Sequence, residues 1–406
     1  MKAVTVVEGI YRVAAQIKEE GLLFEGTWPI SDGIMLDSYI VKGSNKIALI
    51  DLVKDWDGAV DSLARQIKSL GLKVSDIDYI VINHMEPDHT GDLVNFVAKN
   101  PTVQIYCSPK SVPLIKAFYN IEENIHAISD GETLDLGGKT LSFHLTPNVH
   151  WPETMMTFAE EDHVLFSCDA FGSYGNYDSP FDDQLTEEEK KTLPSDLERY
   201  YSNIISSFSP FVLRALDKVA PLGIKFICPS HGIMWRKDVE CILSWYRKLA
   251  SYDKGPQEKE ITLIFSSMYG NTEALVDSFK KGVESVEGVV LHIIRVPQTH
   301  VSFVLEKAWR SSGLIVGMPT YKYKMFPPMY NVLDEIERSH IVKRKIIRFG
   351  SYGWSGGAEK QFTPFVDSLK LDYMGAVEFQ GAPCEAEEKK AFDLAVKMAT
   401  AIKEGN

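Results

Sequence analysis

Two imidazoles and two carboxylates fall within six residues in His84-Met85-Glu86-Pro87-Asp88-His89. Side chains of these types cannot all be buried without a cation or an extensive hydrogen-bond network, because unpaired buried charge is costly. Alone, the run reads equally well as an exposed acidic turn. Three later residues change the balance: His150 in Thr146-Pro147-Asn148-Val149-His150-Trp151-Pro152-Glu153, Asp169, and His231 in Pro229-Ser230-His231-Gly232. All four positions follow stretches that read as strands, 78–83, 140–145, 163–167 and 225–228, where sheet proteins collect functional side chains on loops. Imidazole and carboxylate donors gathered at strand ends predict a metal centre. A carboxylate at Glu86 makes the donor set harder and shifts it from zinc toward iron or manganese.

A second group lies near the other end of the chain. The apolar run 261–265 leads into Ser266-Ser267-Met268-Tyr269-Gly270-Asn271-Thr272, followed by a helical pattern. Backbone N–H groups at a helix start, with serine and threonine hydroxyls, suit a phosphate. No Gly-Lys-Ser/Thr ending is present, so this is not a nucleotide P-loop. The run resembles the flavodoxin phosphate loop, with Tyr269 at the middle hydroxyl position. Gly317-Met318-Pro319-Thr320-Tyr321 and Gly350-Ser351-Tyr352-Gly353-Trp354-Ser355-Gly356-Gly357 follow further strands. In a doubly wound sheet such loops meet at one edge. There Tyr321, Tyr352 and Trp354 would flank an isoalloxazine, and the combination points to FMN.

The elements that must carry these groups divide into two patterns. Up to about residue 250, short strands mix with helices: strand 46–51, a helix 57–70 ended by Gly71, then strands 78–83, 103–107, 140–145, 154–158, 163–167 and 225–228. From 261 onward, strands (261–265, 289–295, 313–316, 345–349, 375–379) alternate with helices (from 272, 302–311, 329–337, 358–369, 385–403). That alternation implies a doubly wound parallel sheet. Between the patterns, the polar segment around Gly255-Pro256 reads as a linker. The predicted organisation is a metal domain over 1–252, a linker over 253–260 and a flavin domain over 261–406.

Composition narrows the functional classes. The chain has 406 residues, 45% hydrophobic and 24% charged, which excludes disorder, collagen and coiled coil. A formal charge of −13 argues against nucleic-acid or anionic-membrane binding. No stretch approaches the roughly 18 apolar residues of a membrane span, and the N-terminus does not read as a signal peptide. The five cysteines are scattered without a Cys-x-x-Cys pair. That pattern predicts a reducing cytoplasm and no zinc-ribbon or rubredoxin-type site within these residues.

The metal motif resembles that of the metallo-β-lactamase superfamily, H-x-H-x-D-H followed by distant His, Asp and His, with Glu86 in place of the second His. Joined to flavodoxin-like loops, the chain resembles the flavodiiron (A-type flavoprotein) family over essentially its whole length. The resemblance implies an αββα metallo-β-lactamase-like domain followed by a flavodoxin-like domain. It implies that His84, Glu86 and His150 bind one iron, that Asp88, His89 and His231 bind the other, and that Asp169 bridges. In some members the imidazole at the position of His89 stays off the metal. The implied activity is reduction of dioxygen to water, of nitric oxide to nitrous oxide, or both. Implied partners are an external electron donor, such as rubredoxin or a reduced deazaflavin, and a second copy in a head-to-tail homodimer or dimer of dimers. The segment Ile34-Met35-Leu36-Asp37-Ser38-Tyr39 departs from the family's Thr-Tyr-Asn-x-Tyr, and with Phe24-Glu25-Gly26-Thr27-Trp28 it falls in a region that can approach the substrate pocket. Tyr200 and Tyr201 read equally as a tyrosine near the metals or as core aromatics.

Two other functions are compatible with parts of the pattern. One is a zinc-dependent hydrolase with an appended electron-transfer domain, in which metal-bound hydroxide attacks an ester or lactam; Glu86 argues against it. The other is a flavin electron carrier whose metal domain is only a scaffold; the full set of candidate ligands argues against that.

Overall fold

A computed structural model describes residues 1–255 and 257–405; Pro256, within the predicted linker, and Asn406 lie outside the described residues. The chain is α/β throughout and separates into two compact units. Met1–Tyr201 with Phe208–Lys248 makes one, and Ser202–Ser207 with Leu249 onward makes the other.

The first unit stacks two sheets. One has seven strands in the order Val4–Val7, Ile10–Ile17, Ile34–Lys42, Ile47–Ile50, Tyr79–Ile82, Gln104–Cys107 and Ile125–Ala127. The other has five: Thr133–Asp135, Thr140–Leu145, Met155–Ala159, Val164–Cys168 and Phe226–Pro229. Inward-facing Tyr39, Val41, Ile50, Val81, Phe143, Met155, Phe166 and Cys228 form the core between them. Helix Ala59–Ser69 buries Ala59, Leu63, Gln66 and Ile67. It is tied to strand Ile10–Ile17 by Gln66 Nε2 donating to Ala14 O at 2.7 Å. This is the αββα, metallo-β-lactamase-like layering.

Strands Ile10–Ile17 and Ile34–Lys42 go beyond the sequence reading, which assigns no element there. Their alternation is blurred because Arg12, Asp37 and Ser38 are buried polar residues within apolar strands. Tertiary pairing, absent from local pattern, makes such residues acceptable in a sheet.

The second unit is a five-stranded, all-parallel sheet. Its order is Val290–Arg295, Glu258–Phe265, Ser311–Gly317, Lys345–Tyr352 and Asp372–Gln380, or 2-1-3-4-5 in chain order. That is the flavodoxin-like doubly wound arrangement. Helices Val276–Glu284 and Glu385–Glu404 cover one face through Phe279, Val283, Ala391, Ala395 and Met398. Helices Val301–Arg310, Pro327–Arg338 and Ala358–Ser368 pack in succession elsewhere on the sheet. The helix expected from Thr272 begins as a 3-10 turn over Glu273–Leu275.

Candidate metal centre and flavin loops

All seven metal-site candidates meet at one rim of the sandwich. Tyr79–Ile82 leads into His84, Glu86, Asp88 and His89, the last two on the short helix Pro87–Thr90. Val164–Cys168 and Phe226–Pro229 are parallel neighbours, so Asp169 and His231 emerge together. The register of Met155–Ala159, antiparallel to Val164–Cys168, returns the loop carrying His150 to the same end. Two bonds tie the sheets there: Met155 N–H to Asn83 O at 3.0 Å and Thr157 Oγ1 to Asn83 Oδ1 at 2.7 Å. Asn83 in turn donates from its backbone to Asp51 Oδ1 at 2.8 Å. Around this rim the non-glycine residues Glu25, Asp51, Asn148, Cys168 and Phe171 have left-handed backbones. Strain of this kind persists where surrounding contacts over-determine it and concentrates at functional sites.

Asp169 divides the cluster into two halves. Its Oδ2 lies 3.6 Å from His84 Nε2 and 3.5 Å from His150 Nε2, and Glu86 Oε2 lies 3.4 and 3.1 Å from the same nitrogens. Its Oδ1 lies 3.1 Å from His89 Nε2 and 3.2 Å from His231 Nε2. Asp88 Oδ2 completes that half at 3.5 and 3.3 Å. Each half thus presents two imidazoles and one carboxylate, with one oxygen of a shared carboxylate between them. His84, Asp88, His89, His150, Asp169 and His231 are buried, so an exposed acidic turn is excluded.

Outer partners aim the imidazoles. His84 Nδ1 donates to Glu153 Oε1 at 2.7 Å, and Glu153 also accepts from the Met85 N–H at 3.0 Å. His231 Nδ1 donates to Met35 O at 2.7 Å. In both rings Nε2 is left facing the carboxylates, as metal-ligating histidines require.

The electrostatics are those of carboxylates in need of cations. Burial opposes ionisation of Glu86, but His150 and His84 bring its pKa down to about 2. Burial would likewise depress the imidazoliums. Asp169 and Glu86 instead raise His150 to about 9, and Asp169 and Asp88 raise His231 to about 10. Asp169 is held well below the carboxylate range against its burial by His89, His150 and His231. Protons on the imidazoles balance the carboxylates here, and divalent metals would compete for the same places. Asp88 Oδ1 and Oδ2 and His231 Nε2 are buried without a hydrogen-bond partner, as open ligand atoms are. Cys168 Sγ is 3.9 Å from Asp169 Oδ2, but burial and that carboxylate raise its pKa well above normal and keep it a thiol. The available donors are therefore nitrogen and oxygen, with two histidines and a carboxylate per half, a set that suits non-haem iron.

Tyr200 donates to Asp169 Oδ1 at 3.0 Å, whereas Tyr201 shares a hydrogen bond with Ser209 in the core. The two tyrosines thus divide the alternatives between them. Phe24 and Tyr200 flank His231, and Trp151 sits edge-on to His84. Glu25, at the rim with Glu86 and His150, has its pKa raised to about 7 by loss of solvation and then by the Glu86 charge. Sequence reasoning missed Glu153 and Asp51 as contributors, whereas Glu25 lies in the segment 24–28 expected to approach the pocket. Glu153 had a signal, since it ends the same His-Trp-Pro-Glu run as His150.

In the second unit the three candidate flavin loops leave the C-terminal ends of three adjacent strands, Glu258–Phe265, Ser311–Gly317 and Lys345–Tyr352. The first two flank the point where strand order reverses, the usual ligand position in this topology. Thr272 Oγ1 lies 3.1 Å from Ser351 Oγ and accepts from the Ser351 N–H at 3.3 Å, joining the first and third loops. Ser267 Oγ accepts from the Gly270 N–H at 3.0 Å, shaping the turn. Gly350 is obligatory: a Cβ there would lie 1.7 Å from Met318 O. Met268, Tyr269, Tyr321 and Trp354 are exposed, Tyr269 by 91% and Trp354 by 75%. Tyr323, which sequence reasoning missed, accepts from Trp354 Nε1 at 3.3 Å. With Lys322 it forms the left-handed tip of the hairpin Thr320–Tyr321 and Lys324–Met325, a turn that normally selects Asn-Gly.

Known proteins match both units. The sequence model of the ODP family beta lactamases matches residues 34–232. The anaerobic nitric oxide reductase flavorubredoxin of Aeromonas hydrophila is 36% identical over 343 residues, spanning 82% of this chain and 67% of that protein. Among solved structures, the rubredoxin oxygen:oxidoreductase of Desulfovibrio gigas superposes with a TM-score of 0.92 at 26% identity, over 99% of each chain. A variant of the flavo di-iron protein of Thermotoga maritima superposes at 0.87 and 26% identity, over 98% of each.

Proposed function

The chain belongs to the flavodiiron protein family, and from that premise we propose that it reduces dioxygen to water, nitric oxide to nitrous oxide, or both. His84, Glu86 and His150 would hold one iron, Asp88, His89 and His231 the other, and Asp169 would bridge. The observation that carries the proposal is the division of Asp169, one oxygen toward each two-histidine, one-carboxylate half. The flavorubredoxin relatives are named as nitric oxide reductases and the Desulfovibrio protein as an oxygen oxidoreductase. FMN would bind through 266–272, Pro319, Thr320 and Tyr321, and Ser351, Tyr352, Gly353, Trp354 and Gly356. The proposed domain limits are 1–252 and 261–406, joined by 253–260.

When bound, the iron pair supplies adjacent coordination positions and redox equivalents for a diatomic, and FMN supplies an electron buffer. The chain's own contributions follow from the geometry. Glu153 and Met35 O fix the orientation of His84 and His231. The Tyr200 hydroxyl keeps its proton and donates it in a hydrogen bond to Asp169 Oδ1. Phe24 packs edge-on against His231 and Trp151 edge-on against His84, setting apolar surface beside the cluster, and Tyr174 backs Phe24. Glu25 stands at the rim beside Glu86 and His150. No described helix is long and apolar enough to cross a membrane. A cytoplasmic location, a head-to-tail homodimer and an external donor such as rubredoxin or a reduced deazaflavin complete the proposal.

The test is steady-state consumption of oxygen and of nitric oxide by iron- and FMN-loaded protein given a chemically reduced donor. Turnover of at least one gas is expected, with two irons per chain. Two zincs per chain with hydrolase activity, and no iron, would overturn the proposal.

A further inference from the structure

The loop that carries His231 is held residue by residue by two strands distant in sequence. Tyr39 Oη donates to Pro229 O at 2.6 Å. The Asp37 N–H donates to Ser230 O at 2.9 Å. His231 Nδ1 donates to Met35 O at 2.7 Å, and Arg12 Nη2 donates to Gly232 O at 3.0 Å. Residues 35, 37 and 39 alternate along strand Ile34–Lys42, so they share one side of it. Pairing with Ile47–Ile50 begins only at Tyr39, and ahead of that point the His231 loop takes the open edge.

The middle of this clamp is charged. Arg12 Nη2 lies 2.8 Å from Asp37 Oδ1, with side-chain exposures of 2% and 0%. A fully buried ion pair is a poor source of net stability, because desolvating both charges offsets their attraction; apolar replacements are often as stable. Such a pair makes physical sense where it fixes one arrangement. Here Arg12 reaches both the carboxylate on strand Ile34–Lys42 and the last carbonyl of the metal loop. The other half of the metal cluster is oriented differently, by Glu153 on His84.

We propose that Arg12 and Asp37 are positioning residues for one half of the metal centre, holding loop 229–232 so that His231 Nε2 faces Asp88 and Asp169. The inference rests on the two-metal reading above and adds an asymmetry to it. Disturbing the pair weakens the metal held by Asp88, His89 and His231 and spares the one held by His84, Glu86 and His150.

The experiment is anaerobic Fe(II) titration of chelator-stripped, FMN-containing protein against a competing chelator, read as two uptake steps, with thermal melting of the metal-free forms alongside. Asp37→Asn and Arg12→Met are each expected to weaken one step by about 10–100-fold, the usual effect of losing an outer-sphere partner, and to leave the other within about threefold. The two variants leave opposite charges behind. A purely electrostatic role would shift the weakened step in opposite directions, whereas positioning lowers it in both. Tyr39→Phe removes one anchor without touching the charge pair and should weaken the same step by a smaller factor. If the single variants fold poorly, the apolar pair Arg12→Met with Asp37→Leu supplies a folded test, and it should still lose affinity at the one step. Equal weakening of both steps, opposite shifts in the two charge variants, or wild-type uptake in the apolar double variant would overturn the inference alone. Failure of the wild-type protein to take up two metals would overturn the two-metal reading and this inference together.

Discussion

The metal rim and the flavin rim solve opposite problems. At the metal rim six of the seven candidate ligands are buried, and His84 and His231 are fixed by further bonds behind them. At the flavin rim the hydroxyls Ser266, Thr272 and Ser351 are buried and Tyr352 is half-buried, but Tyr321, Tyr269 and Trp354 stand in solvent, the last two most of all. An ion has no shape of its own to offer, so the protein must converge charged donors in advance against their repulsion and desolvation. A flavin brings a large flat surface and a phosphate. The chain needs only a fixed phosphate turn and loosely held rings to cover the rest. One rim is built from buried charge, the other from exposed apolar surface over a short polar base.

This difference predicts how each rim fails. The largest effect is expected for Asp169→Ala, which removes the carboxylate that gives one oxygen to each half. Iron content and gas turnover should both fall to background, beyond the ~10–100-fold typical of an outer-sphere loss, while flavin absorbance persists. Metal analysis beside a visible spectrum checks this, and retained iron would break the contrast.

A smaller effect concerns pH. His150 and His231 have folded pKa values raised to about 9 and about 10 by their carboxylates, despite burial. A raised pKa contributes stability in full below the unfolded value of about 6.5, and that contribution is lost as pH rises through the folded value. Chelator-stripped protein should therefore lose stability between about pH 7 and pH 10. Because the imidazoles share carboxylates, the loss should be on the order of 2–4 kcal/mol, or roughly 5–15 °C in melting temperature for a domain of this size. Iron-loaded protein, whose imidazoles are already deprotonated on the metal, should not show this fall. Thermal melts of both forms across that range decide it.

The smallest effect is expected at Trp354, whose ring is exposed and buries little of the fold. Trp354→Ala should weaken FMN by about 0.5–1.5 kcal/mol, several-fold in dissociation constant, without changing the melting temperature of the flavin-free protein. Flavin fluorescence titration measures the first and a melt the second. A large loss of stability would show that this rim is built like the metal rim after all.

Much of the fold was legible because it is written locally. The alternation of strands and helices after residue 261 announced a parallel doubly wound sheet, and each candidate ligand lay within six residues of the end of an apolar run. What stayed hidden had no local pattern. Strands Ile10–Ile17 and Ile34–Lys42 carry Arg12, Asp37 and Ser38 into the interior, which breaks the usual alternation. Glu153 had a clue in its neighbour His150, but Asp51 and Tyr323 acquire their places only when distant loops meet.

By itself, the sequence determined which chemistry was available: imidazoles and carboxylates after strands, and hydroxyls, glycines and aromatics on the loops of a parallel sheet. Side-chain type and strand-end position are properties of short segments, and short segments can be read directly. Only the tertiary structure decided how those groups are shared. It placed one oxygen of Asp169 on each side, gave Tyr200 to the cluster and Tyr201 to the core, and bound the His231 loop to strands near the N-terminus. Those outcomes depend on contacts between segments as many as 220 residues apart, which no local pattern encodes.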